Sequence, residues 1–162
     1  MSVAFSCRVP RGAVWNRYLV TRARQVLRAL GVHRSELSLS LVSDEEMHAL
    51  NRAYRGKDRP TDVLAFPLHT PPIAAGVASL GDVVISIDTA ALAATQRRRP
   101  LARCLDELVI HGILHLLGYD HEISAAEERR MARKAREVRA AIGLLVVPVS
   151  RPQPVAARRA RS

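Results

Sequence analysis

The spacing of hydrophobic and polar positions along the chain predicts helices that alternate with strands. Apolar residues at helical spacing, bounded by residues that start or stop helices, predict five helices. They are expected at about residues 11–30, 44–50, 89–97, 100–117 and 125–141. Short apolar runs predict strands at about 37–41, 62–66 and 81–87, and residues 144–149 fit either a last short strand or a packed tail. This order favours an α+β (mixed α/β) domain, in which helices flank a small mixed β-sheet.

Specific residues mark the predicted helix ends. Ser43 and Ser124 are each followed three positions later by glutamate, which is the capping-box pattern of a helix start. Asp88 is placed to cap the third helix. Gly118 is placed to end the fourth, because glycine readily adopts the left-handed conformation found at that point. Glycine, proline and charged residues between 54 and 61 predict a loop.

The length and composition predict one domain followed by a tail. The chain has 162 residues, 48% of them hydrophobic, which is enough for one domain with its own core. We expect this domain to span residues 1–149. Residues 150–162 contain two prolines and four arginines with few large apolar groups, which predicts a basic, disordered tail.

Cysteine usage and hydropathy predict the compartment. Cys7 and Cys104 are far apart and form no metal-binding pair. We expect both to be free thiols, with Cys104 as a small buried residue on a helix. No apolar run has the length of a secretory signal or a membrane span. A cytoplasmic protein that does not enter membranes is therefore expected.

The charge balance favours a polyanionic partner. The chain has 25 Lys and Arg against 15 Asp and Glu, a net charge of +10, which suits RNA. Because all but two of the basic residues are Arg, a general bias toward arginine is the competing explanation. Arg97–Arg99, Arg129–Arg139 and the tail are candidates to contact an RNA backbone, with a solvated helix face as the alternative for the second. Aromatic residues make up only 4% of the chain, which argues against extensive base stacking.

The segment HGILHLLGYDH, residues 111–121, carries the candidate chemistry. His111 and His115 are four residues apart on a predicted helix, so their side chains share one face. After the turn at Gly118, His121 can return to supply a third nitrogen. Three imidazoles with an open fourth position are typical of a catalytic zinc site. We therefore expect one zinc ion per chain, with nickel, cobalt or copper as alternatives.

The spacing of these histidines is that of the metzincin proteases, which carry a general-base Glu directly after the first His. Gly112 occupies that position here, so the expected ligands are kept and the base of a peptidase is missing. Other carboxylates could orient a ligand or act as a base, and each could equally be an exposed surface group. They are Asp62, Asp82, Glu107, Asp120 and Glu122.

The chain resembles the YbeY family of bacterial endoribonucleases over about residues 37–142, and three segments carry this resemblance. They are HGILHLLGYDH, NRAYRGKDRPTDVLAF at 51–66 and LGDVVIS at 80–86. The resemblance implies a YbeY-like fold with a zincin-like metal helix. It also implies cleavage of single-stranded RNA in small-subunit ribosomal RNA maturation and ribosome quality control. Ribosomal RNA and the ribosome or its small subunit would then be the partners, and DNA would not.

The same resemblance assigns a role to one arginine. Arg55 falls on an arginine that is important in the family, and a guanidinium there would bind phosphate as a planar, always-charged donor. Ala65 stands where the family often has Ser.

Two other functions stay open on the sequence. A peptidase or amidase would fit the metzincin-like spacing, although Gly112 argues against it. A non-catalytic RNA-binding ribosome-assembly factor would hold a structural metal with its fourth coordination position closed. For RNA cleavage, the nucleophile is either water or the RNA 2′-hydroxyl, and the second route needs no carboxylate base.

Overall fold

The computed structural model describes residues 1–68 and 76–143. Within these ranges the chain forms four strands, a 3₁₀ turn at Pro10–Trp15 and five α-helices. The strands are β1 (Ser2–Cys7), β2 (Ser35–Val42), β3 (Val63–Pro67) and β4 (Ala78–Ser86). The helices are α1 (Asn16–Ala29), α2 (Asp44–Arg55), α3 (Ile87–Gln96), α4 (Leu101–Leu116) and α5 (Ala125–Gly143).

The strands form one mixed sheet in the order β1-β2-β4-β3. β1 and β4 run parallel to β2 on its two sides, whereas β3 runs antiparallel to β4 at the edge. Leu37, Leu39 and Leu41 alternate with more exposed residues along β2, and all three are buried. This alternation directs one face of the sheet into the main core. The expected α+β architecture with a small mixed sheet is confirmed.

Helix α4 lies at the centre of the core. It packs against α1, α3 and α5 and against strands β3 and β4. Its buried residues recur at helical spacing, and Leu105, Val109, Ile113 and Leu114 have no exposed surface. Because the helix is surrounded in this way, its position is fixed by packing along most of its length.

A polar cluster inside the helical layer also holds α4. The guanidinium of Arg22 on α1 lies 3.2 Å from the carboxylate of Asp106, and the hydroxyl of Tyr18 donates to the same carboxylate at 2.9 Å. Arg22 also donates to the backbone carbonyl of Ile142 on α5 at 2.9 Å. Burial raises the pKa of Asp106, against the opposing effect of these donors. The cluster joins three helices through groups that are mostly removed from water.

Several predicted element ends differ from those observed. The expected cap at Asp88 is wrong: α3 follows β4 directly, and the hydroxyl of Ser86 accepts the hydrogen bond from the amide of Thr89 at 3.2 Å. The Asp88 carboxylate accepts instead from the amide of Asp44, at the start of α2. The predicted caps Ser43 and Ser124 are confirmed, each accepting from the amide three residues later at 3.2 Å.

The amino-terminal part differs most from the prediction. No strand was expected before residue 11, but Ser2–Cys7 forms β1 and pairs with β2. The first helix was expected from about residue 11, but residues 10–15 form the tighter 3₁₀ turn and α1 begins at Asn16. Only one side chain of β1, Val3, is buried, so its alternating pattern was too weak to be recognised. The buried Cys104 on α4 is as expected.

Two predictions lie outside the described residues. They are the strand or packed tail at 144–149 and the disordered tail at 150–162. Among the residues that are described, no helix combines the length and apolarity that crossing a membrane requires.

Candidate metal centre and surrounding cleft

The structure brings the three predicted histidines into one cluster. His111 and His115 lie on the last two turns of α4, and Gly118, with φ of 93°, reverses the chain after the helix. His121 then returns to the same face. The centroids of the three rings are 4.8 to 5.2 Å apart, and one ring nitrogen from each residue lies within 4.8 Å of the others.

The spacing of these nitrogens fits one metal ion. A tetrahedral zinc ion with Zn–N bonds near 2.0–2.1 Å separates two imidazole nitrogens by roughly 3.3 Å. The Nε2 atom of His115 and the Nδ1 atom of His121 are 3.2 Å apart. His111 needs only a small adjustment to complete the set, because its candidate nitrogen already lies within the 4.8 Å limit. The three histidines could therefore hold a metal ion.

Electrostatics favour the metal-binding form of His111 and His115. Burial, together with repulsion from the other two imidazoles, lowers the pKa of His111 to about 4. Burial and the neighbouring His121 also lower the pKa of His115. Since the neutral imidazole is the ligand, protons compete little with a cation at these positions near neutral pH.

A cleft of about 920 Å³ opens beside the histidines. One side is formed by the end of α2 and the loop that follows it, and this side includes Tyr54, Arg55 and Lys57. α4 and the segment after it form another side, which includes Glu107 together with the three histidines. Because the cleft is open, it suits an extended chain better than a small molecule, which usually binds in an enclosed pocket.

Arg55 reaches this cleft because α2 ends beside it. Gly56 adopts the left-handed conformation with φ of 64° and ends the helix. The side chain of Asn51 then holds the following loop by donating to the carbonyl of Arg59 at 2.7 Å. The guanidinium of Arg55 donates to both carboxylate oxygens of Glu122, at 3.0 and 3.2 Å. This hydrogen bonding lowers the pKa of Glu122.

The predicted carboxylates divide into several groups. Asp62 lines the cleft, and its charge acts on His111 by opposing the fall in the pKa of that imidazole. Asp120 accepts from the amide of Glu122 at 2.8 Å, so it orders the segment around His121. Asp82 is not part of this site, because it lines a separate cavity of about 250 Å³.

Glu107 is surrounded by arginines. Its carboxylate lies 3.1 Å from Arg99, 2.7 Å from Arg139 and 3.8 Å from Arg97.

Gly112 follows His111 and lies against the sheet. A Cβ atom at this position would be 2.5 Å from Val83 Cγ1 and 3.0 Å from Val83 Cγ2. The position that holds the general base in metzincins is therefore closed to any side chain in this packing. The missing glutamate follows from the close approach of α4 to β4.

Sequence reasoning missed one prominent residue of the cleft. Tyr54 is 69% exposed and packs edge-on against Phe66, with ring centroids 5.2 Å apart. The low aromatic content had argued against stacking in general. The signal that could have identified Tyr54 was its position directly before Arg55.

Comparisons with known proteins agree with this geometry. The family described as Endoribonuclease YbeY matches residues 13–143. The chain belongs to this family. The match extends beyond the region of about 37–142 in which the sequence resemblance was seen, and it includes most of the first helical segment.

Individual members of the family are similar over most of the chain. Endoribonuclease YbeY of Anaeromyxobacter sp. (strain Fw109-5) is 52% identical over 145 residues, which cover 90% of this chain and 74% of the relative. The protein of the same description from Aquifex aeolicus is 46% identical and covers 67% of this chain and 71% of the relative. The solution structure of TM1509 from Thermotoga maritima matches with a TM-score of 0.59 at 29% identity, covering 87% of this chain and 89% of that structure. The expected YbeY-like fold is confirmed.

Proposed function

We propose that this protein is a metal-dependent endoribonuclease that cleaves single-stranded RNA. The observation that carries the proposal is the convergence of His111, His115 and His121 at a cleft that Arg55 also lines. Membership of a family whose relatives are described as endoribonucleases supports the same activity. Zinc is the proposed ion, because three imidazole nitrogens with an open fourth position are its usual catalytic set.

The side chains of the cleft have separate roles in this proposal. When bound, the zinc ion supplies a Lewis acid and lowers the pKa of a coordinated water. Arg55 binds the scissile phosphate by exchanging its two hydrogen bonds with Glu122 for bonds to phosphate oxygens. Asp120 keeps the segment that carries His121 in place. Asp62 is the carboxylate proposed to take up a proton near His111, from either water or the RNA 2′-hydroxyl.

The proposed cellular role is the one that the resemblance to the family implies. We propose action on ribosomal RNA at the small subunit, in maturation and quality control, within the cytoplasm and as one domain over residues 1–149. The net charge of +10 supports binding to RNA. Single-stranded DNA is not expected to be cut if the 2′-hydroxyl is the nucleophile.

The test combines metal content with cleavage. The purified protein would be assayed for bound zinc and for cleavage of a labelled single-stranded RNA, before and after treatment with a chelator. His115→Ala should lose both metal and cleavage, whereas Arg55→Ala should keep metal and lose most cleavage. His33→Ala is the matched control, because His33 is an exposed histidine outside the cluster.

The outcomes separate the candidate functions. Zinc near one ion per chain, with cleavage that both the chelator and His115→Ala abolish, supports the proposal. Bound metal without cleavage, together with RNA binding that survives His115→Ala, would instead indicate an assembly factor with a structural metal. Chelator-sensitive hydrolysis of peptides but not of RNA would indicate the peptidase or amidase function.

A further inference from the structure

A second cluster of charge lies one helical turn from the histidines. Glu107 precedes His111 by four residues on α4, so the two side chains lie about 6 Å apart along one face. Three guanidiniums converge on the Glu107 carboxylate, from Arg97 and Arg99 after α3 and from Arg139 on α5. We name these four residues the arginine–glutamate cluster.

The backbone fixes the first two arginines in place. After α3 the amide of Arg97 donates to Ala93 O, and the amide of Arg99 donates to Ala94 O, both at 2.9 Å. Arg98 between them has φ of 51°, the only left-handed residue other than glycine in the described part of the chain. A short turn in this conformation is unfavourable for arginine, so the packing around it must hold it. The turn brings the side chains of Arg97 and Arg99 to the same carboxylate.

The cluster has more charge and more donors than its one acceptor can use. Three guanidiniums and one carboxylate leave a net charge of +2. Each guanidinium has five N–H donors, and one carboxylate offers about four acceptor sites. The arginine side chains are between 35% and 59% exposed, so a ligand in solvent can reach them. An anion with several oxygens is the ligand that such a group fits.

The position of the cluster indicates which anion. Arg97 and Glu107 line the same cleft as His111 and Arg55. The cleft therefore has one cationic region at Arg55 and Lys57, and a second at the cluster, along the wall that α4 provides. A single-stranded RNA that lies over the histidines would place backbone phosphates at both regions.

We propose that Arg97, Arg99 and Arg139 form a second phosphate-binding subsite for single-stranded RNA, in which Glu107 competes with the phosphate for the arginines. The subsite extends the cleft beyond the scissile bond, and it rests on the proposed function. It contributes to affinity through ion pairing with the backbone and reads no base sequence.

The test measures the salt dependence of RNA binding. Anisotropy of a fluorescent single-stranded RNA carrying 2′-O-methyl groups would be followed in the zinc-loaded protein, with the RNA checked for integrity afterwards. For single strands the slope of log K against log salt is about −0.7 per phosphate contact, so loss of two contacts reduces the magnitude of the slope by about 1.4. We expect this change in the triple variant Arg97→Gln, Arg99→Gln, Arg139→Gln.

A matched variant removes the same charge elsewhere. Arg129, Arg133 and Arg136 are exposed on the face of α5 opposite the buried Met131 and Val138. Their triple change to Gln should alter the slope by less than half as much. Equal changes in the two triple variants would overturn the proposal, because binding would then depend on overall charge alone. An unchanged slope in the first triple variant would also overturn it, because the three arginines would then contact no phosphate.

A single substitution covers the case in which the first triple variant fails to fold. Glu107→Gln keeps all three arginines and raises the charge of the cluster from +2 to +3, so RNA binding should become tighter. Glu137→Gln on the outer side of α5 is its control, because Glu137 pairs only with Lys134 among the ion pairs of the described residues. Unchanged or weaker binding by the Glu107→Gln protein would overturn the role of Glu107 as a competitor.

The subsite and the nuclease activity can fail separately. Cluster-dependent RNA binding by a wild-type protein that does not cleave RNA would support the subsite and remove the nuclease proposal. RNA cleavage by the wild-type protein, with normal binding by the first triple variant, would remove the subsite and keep the nuclease.

Discussion

Replacement of Gly112 by alanine tests how closely the metal helix lies on the sheet. The added methyl carbon would begin 2.5 Å from Val83 Cγ1, whereas ordinary contact at such a position starts at 3.4 Å. To remove this clash, the alanine methyl and Val83 must therefore move apart by about 0.9 Å (3.4 − 2.5). Val83 is fully buried on β4, so neither a new rotamer nor a shift of its backbone is easily accommodated.

Two opposing effects determine how much Gly112→Ala changes the free energy of unfolding. Overpacking a well-packed core costs about 1–3 kcal/mol, and a fully buried β-branched neighbour places this site near the upper end. Alanine regains about 1 kcal/mol over glycine inside a helix. The net loss in the free energy of unfolding is therefore about 2 kcal/mol. For a protein of this size that lowers Tm by about 4–8 °C. Because His111 adjoins the clash, the Gly112→Ala protein should also bind zinc more weakly.

The assay combines unfolding with metal binding. Urea and thermal unfolding of the metal-free protein would give the stability change, and competition with a coloured chelator would give the zinc affinity. Gly143→Ala is the control, because a Cβ atom there meets nothing within 4 Å among the residues that the structure describes. It should leave both quantities near their wild-type values.

A double variant tests whether the clash with Val83 causes the loss of stability. Val83→Ala should destabilise the wild-type protein by opening a cavity, but should cost about 1–2 kcal/mol less in the Gly112→Ala background, where it removes the clash. If Gly112→Ala leaves stability and zinc affinity unchanged, or if the two substitutions are additive, the described closeness of α4 and β4 does not constrain the site.

Three further predictions concern electrostatics and the metal. The metal-free protein should lose stability as the pH falls from about 6.5 to about 4, because the unfolded chain gains a proton on His111 in this range and the folded chain does not. The loss is at most ~3 kcal/mol, since solvent in the open cleft reduces it, and His111→Ala should flatten the pH profile of urea unfolding. Glu122→Gln should lower the KM for a short single-stranded RNA, because it frees Arg55, and an equal effect of Glu128→Gln would contradict this reason. Zinc at a hundred times its Kd should stabilise the folded protein by about 2.7 kcal/mol, and no rise in Tm on zinc addition would refute binding by the native state.

The metal cluster could be predicted from the sequence because its geometry is local. Two histidines four residues apart on a helix must share a face, and a glycine turn three residues after the second is sufficient to bring back a third. The alternation along β2 and the serine caps of α2 and α5 are equally local, and they were predicted for the same reason.

The surroundings of the site could not be predicted in this way. Glu107 meets Arg139 across 32 positions of sequence, and Arg55 meets Glu122 across 67, so only the packed fold brings these partners together. Asp82 looked equivalent to Asp62 in the sequence, yet it lines a different cavity. The role of Gly112 depended on Val83, which lies on a strand that precedes it by 29 positions (112 − 83).

The placement of two histidines on the central helix has a consequence for how this protein can evolve. The same contacts that hold α4 against α1, α3, α5 and the sheet also set where His111 and His115 lie relative to the cleft. Variation in the core is therefore transmitted to the ion, and stability and metal affinity are expected to drift together. Arg55 lies at the end of α2, where substitutions nearby disturb the core less. Substrate preference is therefore expected to change at a lower cost in stability than metal affinity does.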